Sequence, residues 1–94
     1  MENLSKVFES RIRLGVMSLL MVNDTMDFNT IKQMLNVTDG NLASHISALE
    51  KNRLIKIKKK IIGKKTNTTY TATDRGRKEF NDHLGALEKL IKMG

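Results

Sequence analysis

The apolar residues of this chain switch from a helical to a strand period inside its most basic stretch. Leu42, Ile46 and Leu49 recur at i, i+4 and i+7, the spacing of one helical face. Ile55, Ile57 and Ile61 then alternate with Lys56, Lys58 and Lys60, the two-residue period of a half-buried strand with ammonium groups on its outer side. Gly63–Asn67 follows as a polar turn with one permissive residue, and Thr68–Thr73 returns as a β-branched strand with Tyr70 and Ala72 on one face. A short helix handing over directly to a cationic hairpin leaves few folds open.

The remaining segments are helical. Leu4, Phe8, Ile12, Val16, Leu19 and Leu20 predict one helix over Leu4–Val22, and Val7, Met17 and Met21 widen its stripe beyond what one small core needs. Asn23-Asp24-Thr25 ends it, and Met26–Phe28 suits a very short strand. Asn29 is the predicted N-cap of a two-turn helix carrying Ile31, Met34 and Leu35, which Asn36-Val37 breaks. Thr38 caps the next helix, with Val37 and Leu42 placed as a hydrophobic staple. Thr73 or Asp74 caps the last, whose stripe is Phe80, Leu84, Leu87, Leu90 and Ile91. The predicted fold is mainly α with a small antiparallel hairpin, in the order α-β-α-α-β-β-α. No repeat, linker or low-complexity segment divides residues 1–94, so one domain is expected.

Charge becomes informative once it is located. Residues 51–73 hold eight basic side chains and no acidic ones, whereas the other 71 residues hold nine basic and ten acidic, a net of −1. The whole excess of the +7 chain therefore sits in one segment, the footprint of a polyanion-binding patch rather than of general solubility. The plainer alternative is a strand edge protected by lysines. Cysteine is absent, which excludes disulfides and thiolate metal sites. The apolar run Val16–Val22 is short and lacks the flanks of a signal peptide or membrane span, so a soluble cytoplasmic protein is expected. No nucleophile–base spacing, glycine-rich phosphate loop or ligand cluster is present, so no catalytic residue, cofactor or metal is assigned and no enzyme is expected.

Two short helices joined by a tight turn, the second with a polar outer face, are the ingredients of a helix-turn-helix. Leu42, Ile46 and Leu49 anchor that second helix, predicted over residues 39–51. Its outer face presents Gly40, Asn41, Ala43, Ser44, His45 and Ser47, groups small enough to approach base edges in a major groove about 12 Å wide. His45, one residue before an inward isoleucine, is expected to be exposed there. His83 is expected to pack against neighbours or an interface, Tyr70 to join the core, and Gly76 to allow close packing. Met17, Met21 and Met34 are expected to fill core or interface space.

The segment Val37-Thr38-Asp39-Gly40-Asn41-Leu42-Ala43-Ser44-His45-Ile46-Ser47-Ala48-Leu49-Glu50-Lys51-Asn52-Arg53-Leu54-Ile55 resembles the recognition-helix region of MarR/ArsR-type winged-helix transcriptional regulators. The run Lys64-Lys65-Thr66-Asn67-Thr68-Thr69-Tyr70-Thr71-Ala72-Thr73-Asp74-Arg75-Gly76 resembles their wing and its return into the last helix. The likeness spans about Phe28 to Phe80. It implies a homodimer on a pseudo-palindromic operator, with terminal helices 4–22 and 74–92 forming the interface. By that resemblance Thr38, Asn41, Ser44, His45 and Ser47 sit at the major groove. Lys64, Lys65 and Thr66 belong to a wing over residues 61–69, with Lys60 at its base, lying on the backbone or in the minor groove. Many such regulators carry an arginine in the recognition helix or wing tip, where this chain has His45 and lysines. Competing readings are a winged-helix protein-interaction module and a general nucleic-acid binder that does not distinguish RNA from duplex DNA. A small-molecule effector has no support in the sequence, and any such ligand would have to sit between helices or at a dimer interface.

Overall fold

A computed structural model describes residues 6–93. A 3₁₀ turn over Lys6–Glu9 leads into α1 (Arg11–Val22), β1 (Met26–Asp27), α2 (Phe28–Leu35), α3 (Asp39–Lys51), β2 (Ile55–Ile62), β3 (Lys65–Ala72) and α4 (Asp74–Met93). The predicted element order holds throughout. The strands form one antiparallel sheet in the order β1-β3-β2.

The first helix begins later than its apolar period suggests. Ser10 adopts extended backbone, and its hydroxyl accepts from the Arg13 amide at 3.4 Å, so α1 is capped there rather than running on from the preceding turn. The break lets Phe8 leave the helical path and pack edge-on to Phe80 at 5.8 Å and to His83 at 5.3 Å. Leu4 lies outside the described residues.

The second cap also differs from expectation. Asp27, not Asn29, caps α2, its carboxylate accepting from the Thr30 amide at 2.7 Å. As the last residue of β1, Asp27 already has the extended backbone that a cap requires, so the helix starts at once and Asn29 falls within its first turn. That bond holds the Asp27 carboxyl below its ordinary pKa of 3.8.

Both ends of α3 are fixed by sharp, hydrogen-bonded turns. Before it, Asn36 takes left-handed backbone (φ +53°), with its amide donating to Gln33 and the Val37 amide to Lys32. Thr38 then caps α3, accepting from the Asn41 amide at 3.3 Å. After it, Arg53 is left-handed (φ +61°), and the amides of Arg53 and Leu54 return to the carbonyls of Glu50 and Leu49. This is a Schellman closure with arginine where glycine is usual.

Val16, Met17, Leu20, Ile31, Leu42, Ile46, Leu49, Leu54 and Ile55 form the centre of the core, closed by Met26, Tyr70, Ala72, Phe80 and Phe8. Thr73 stitches α3 to α4. Its hydroxyl donates to the Arg53 carbonyl (2.7 Å) and accepts from the Gly76 amide (2.9 Å), while its own amide donates to the Leu54 carbonyl. Gly76 is buried because α4 crosses the α3 exit there, and a Cβ on it would run into the Leu54 carbonyl oxygen. Tyr70 is core, as predicted, and burial, reinforced by the Glu50 charge, raises its phenol above the usual 10.0. His83 is packing too, buried against Phe8. Of the methionines, Met17 is buried and Met21 half-buried, but Met34 is exposed.

Candidate nucleic-acid interface

The recognition-helix candidate is α3, whose bounds are those predicted. At about 100° per residue, Gly40, Ser44, Ser47 and Lys51 form a stripe opposite Leu42, Ile46 and Leu49. All four stripe residues are exposed, while the three anchors are buried. Asn41 and Ala43 flank the stripe and are exposed as well. No charged side chain stands on the stripe before Lys51, so the helix can approach a groove floor closely at its N-terminal half. Thr38 is exposed. Its oxygen is engaged as the cap, which leaves its hydroxyl proton free to donate.

His45 does not stand where the sequence suggests. It is half-buried, and its Nδ1 accepts from the Arg13 Nε of α1 at 3.0 Å. One residue before Ile46 is about 100° round the helix from Ile46 itself. The direction that matters, however, is the mean of Leu42, Ile46 and Leu49, and His45 is only about 70° from that. It therefore sits at the α1 flank. An accepting Nδ1 places the neutral ring's proton on Nε2, the nitrogen remaining for outside contacts. Sequence reasoning missed Arg13, because nothing in the spacing of residues 13 and 45 announces their meeting. Arg13 brings a guanidinium to α3, which has none of its own.

The hairpin is longer and sharper than predicted. Its turn is only Gly63-Lys64, not Gly63–Asn67, with Ile62 paired to Lys65 and Ile61 to Thr66. Gly63 has φ +63°, and Lys64 is not among the positive-φ residues, the signature of a II′ hairpin turn. Strand β1 pairs with β3 only at Tyr70 and Thr69, and the last buried residue along the ribbon is Tyr70, opposite Ile57. Beyond them the four pairs from Lys59–Thr68 to Ile62–Lys65 project as a two-stranded ribbon, about 13 Å long. Ile61 is consequently not half-buried, as its alternation implied, but 80% exposed. Lys60, Lys64, Lys65 and Thr66 are all exposed on this ribbon. None of the three lysines has an ion-pair partner among the described residues, where Lys32–Asp39 and three pairs within α4 account for the salt bridges.

Among the described residues no group of His, Cys, Asp or Glu is arranged to hold a metal ion, and no helix is long and apolar enough to cross a membrane.

An anchored helix with an exposed outer stripe, set beside a projecting cationic ribbon, defines a winged-helix module. The chain belongs to the winged helix DNA-binding domain family, whose model matches residues 12–91. It is 36% identical to a transcriptional regulator homologue from Pyrococcus horikoshii of known structure, covering 98% of this chain and 96% of that one at a TM-score of 0.80. It is 33% identical over 87 residues to an uncharacterised protein of Methanocaldococcus jannaschii, covering 93% of this chain and 95% of the relative. Bacillus subtilis PadR, solved in complex with operator DNA, shares the fold at a TM-score of 0.70 and 19% identity, over 79% of this chain and 46% of PadR. The chain is thus a homologue of DNA-binding transcriptional regulators, not of enzymes. Of the subtype suggested by the sequence, the winged helix stands. MarR/ArsR is not confirmed, and regulators of PadR type are among the proteins that share the fold.

Proposed function

We propose that the protein is a sequence-specific transcriptional regulator of PadR-like type that binds duplex DNA as a homodimer. The observation that carries this reading is the exposed α3 stripe beside the bare cationic ribbon. In this reading Ser44 and Ser47 meet base edges in the major groove, with Thr38 and Asn41 near the entering end of the helix. Lysines have point charges suited to phosphates rather than to bidentate base recognition. Lys60, Lys64 and Lys65, with Thr66, therefore hold the flanking backbone or minor groove. His45 keeps a part, but through Nε2 at the edge of the helix and in company with Arg13. Two copies joined through α1 and α4 would place their α3 helices about one DNA turn, roughly 34 Å, apart on a pseudo-palindrome.

Selection of bound sequences from a random duplex pool tests specificity, palindromy and half-site spacing in one experiment. The expected product is an inverted repeat with half-sites about one helical turn apart. A recovered pool no different from the input would sink the specific-regulator reading.

A further inference from the structure

A groove runs between α1 and α2, away from the wing. Arg11, Ile12 and Gly15 line it from α1, Met34 and Leu35 from α2, and Val37 from the turn beyond. Its volume is about 530 Å³, the size of a small-molecule pocket rather than of a packing void. Gly15 supplies the floor. A glycine inside a helix weakens it, and a Cβ here would stand 2.8 Å from a Leu35 methyl group. The missing side chain lets Leu35 lean on α1 and leaves the floor low.

The lining is chemically one-sided. Ile12, Met34, Leu35 and Val37 offer only aliphatic and thioether surface, with no ring to stack on. Met34 stands 60% exposed at the rim. The single polar side chain is Arg11, which is exposed as well. Its guanidinium has no ion-pair or hydrogen-bond partner among the described residues, whereas that of Arg13 is held by His45. Nor does Arg11 serve its own helix. It is the first residue of α1, where the helix dipole favours an acid, and that turn has none.

These features narrow the occupant. A guanidinium has five donors and no acceptor, and its fork matches a carboxylate. One cation matches one negative charge, and aliphatic walls suit a flexible hydrocarbon chain better than a ring. The exposed apolar end of α4 from a second copy fits less well. It would bring Glu88 together with Lys89 and Lys92, a net cation, against Arg11. Leu35 and Val37 stand on either side of Asn36, whose left-handed turn sets where α3 begins. A chain seated against them bears on the lead into α3.

We propose that this groove binds an aliphatic monocarboxylate, its chain between α1 and α2 and its carboxylate on Arg11, and that occupancy loosens α3 from DNA. The binding site stands without the DNA-binding reading. Only its effect on DNA rests on that reading.

The test titrates the full chain with octanoate and follows the methyl NMR signals of Ile12, Met34, Leu35 and Val37. Octyltrimethylammonium carries the same tail with the opposite charge, and benzoate the same charge on a ring. Octanoate should shift the groove signals saturably, and the other two should bind about tenfold or more weakly. Arg11→Glu and Met34→Glu change exposed positions, and far-UV circular dichroism with a thermal melt checks that each is folded. Each should weaken octanoate about tenfold or more, the worth of a charge-assisted hydrogen bond. Four results would each overturn the site: no saturable shift, an equal response to octyltrimethylammonium or benzoate, unchanged octanoate affinity in Arg11→Glu, or groove signals that follow chain concentration instead. The last would seat a second copy there. Fluorescence anisotropy with a duplex recovered by the selection then reads the coupling. Saturating octanoate should lower the affinity of wild type about fivefold or more and leave that of Arg11→Glu where it was. Unchanged wild-type affinity would overturn the effect on DNA. Wild-type protein that binds no duplex would overturn the DNA-binding reading and that effect with it, while the NMR titration still decides the site.

Discussion

Single residues carry constraints that differ in how far they can be seen in advance. Gly76 is one that can, since a glycine in the first turn of a helix signals a close approach. Gly76→Ala pushes a methyl group into the Leu54 carbonyl and pries α4 from the α3 exit. It should destabilise by about 3 kcal/mol in a urea titration; a change below about 0.5 kcal/mol would contradict the packing. Arg53 acts in the opposite sense. Left-handed backbone disfavours a Cβ, so Arg53→Gly should stabilise by up to about 1 kcal/mol in the same measurement. Asp27 adds a pH dependence. Its folded pKa is depressed below 3.8, so its contribution is complete above the unfolded value and is lost as pH falls through the folded one. Asp27→Ala should therefore cost about 1 kcal/mol at neutral pH and progressively less below pH 3.8; a pH-independent gap would remove the carboxylate from the account. This cap escaped sequence reasoning because Asp27 and Asn29 are both good capping residues, and only the β1–β3 pairing decides which has extended backbone.

At the scale of elements, α3 was legible almost entirely. Its anchors recur at helical spacing, Thr38 is a strong cap, and the Asn36 turn before it is chemically marked. The ribbon was legible in kind but not in extent. Alternation tells which face a residue takes but not where the supporting body stops, so Ile61 reads as half-buried although nothing lies beneath it. The two elements should separate in a binding experiment. Replacing Lys60, Lys64 and Lys65 together by alanine should flatten the log–log salt slope by about 0.9 for each phosphate no longer neutralised. It should weaken all duplexes alike. Ser44→Glu should weaken binding to the selected sequence most, because it sets a carboxylate at the centre of the stripe. If the lysine variant altered base preference and the Ser44 variant did not, the roles assigned to wing and helix would be reversed.

The whole molecule is longer than its core. Its extents are 54 × 26 × 22 Å, and α4 alone contributes 20 residues, or about 30 Å of helix. Phe80 and His83 are buried, but along the same helix Leu84 is 43% and Ile91 78% exposed, and Val22 at the end of α1 is 81% exposed. Apolar residues at helical spacing that find no partner within the chain are the physical ground for proposing a second copy. Sedimentation at micromolar concentration should show a dimer, and Leu84→Lys with Ile91→Lys should yield a monomer that binds the selected site far more weakly. A wild-type monomer would leave α4 without its proposed role. Sequence periodicity marked this stripe correctly. It cannot distinguish a face buried within the chain from one left over for another.

On α3, the stripe residues Gly40, Ser44, Ser47 and Lys51 stand apart from what holds the fold together, because the anchors, caps and closing turns of the helix are all other residues. Changes at these positions should be nearly neutral for folding, apart from modest helix-propensity effects. If α3 reads DNA as proposed, a lineage of such chains can drift from one target sequence to another by single substitutions without passing through an unfolded ancestor. The scaffold stays fixed while the lettering on it is rewritten.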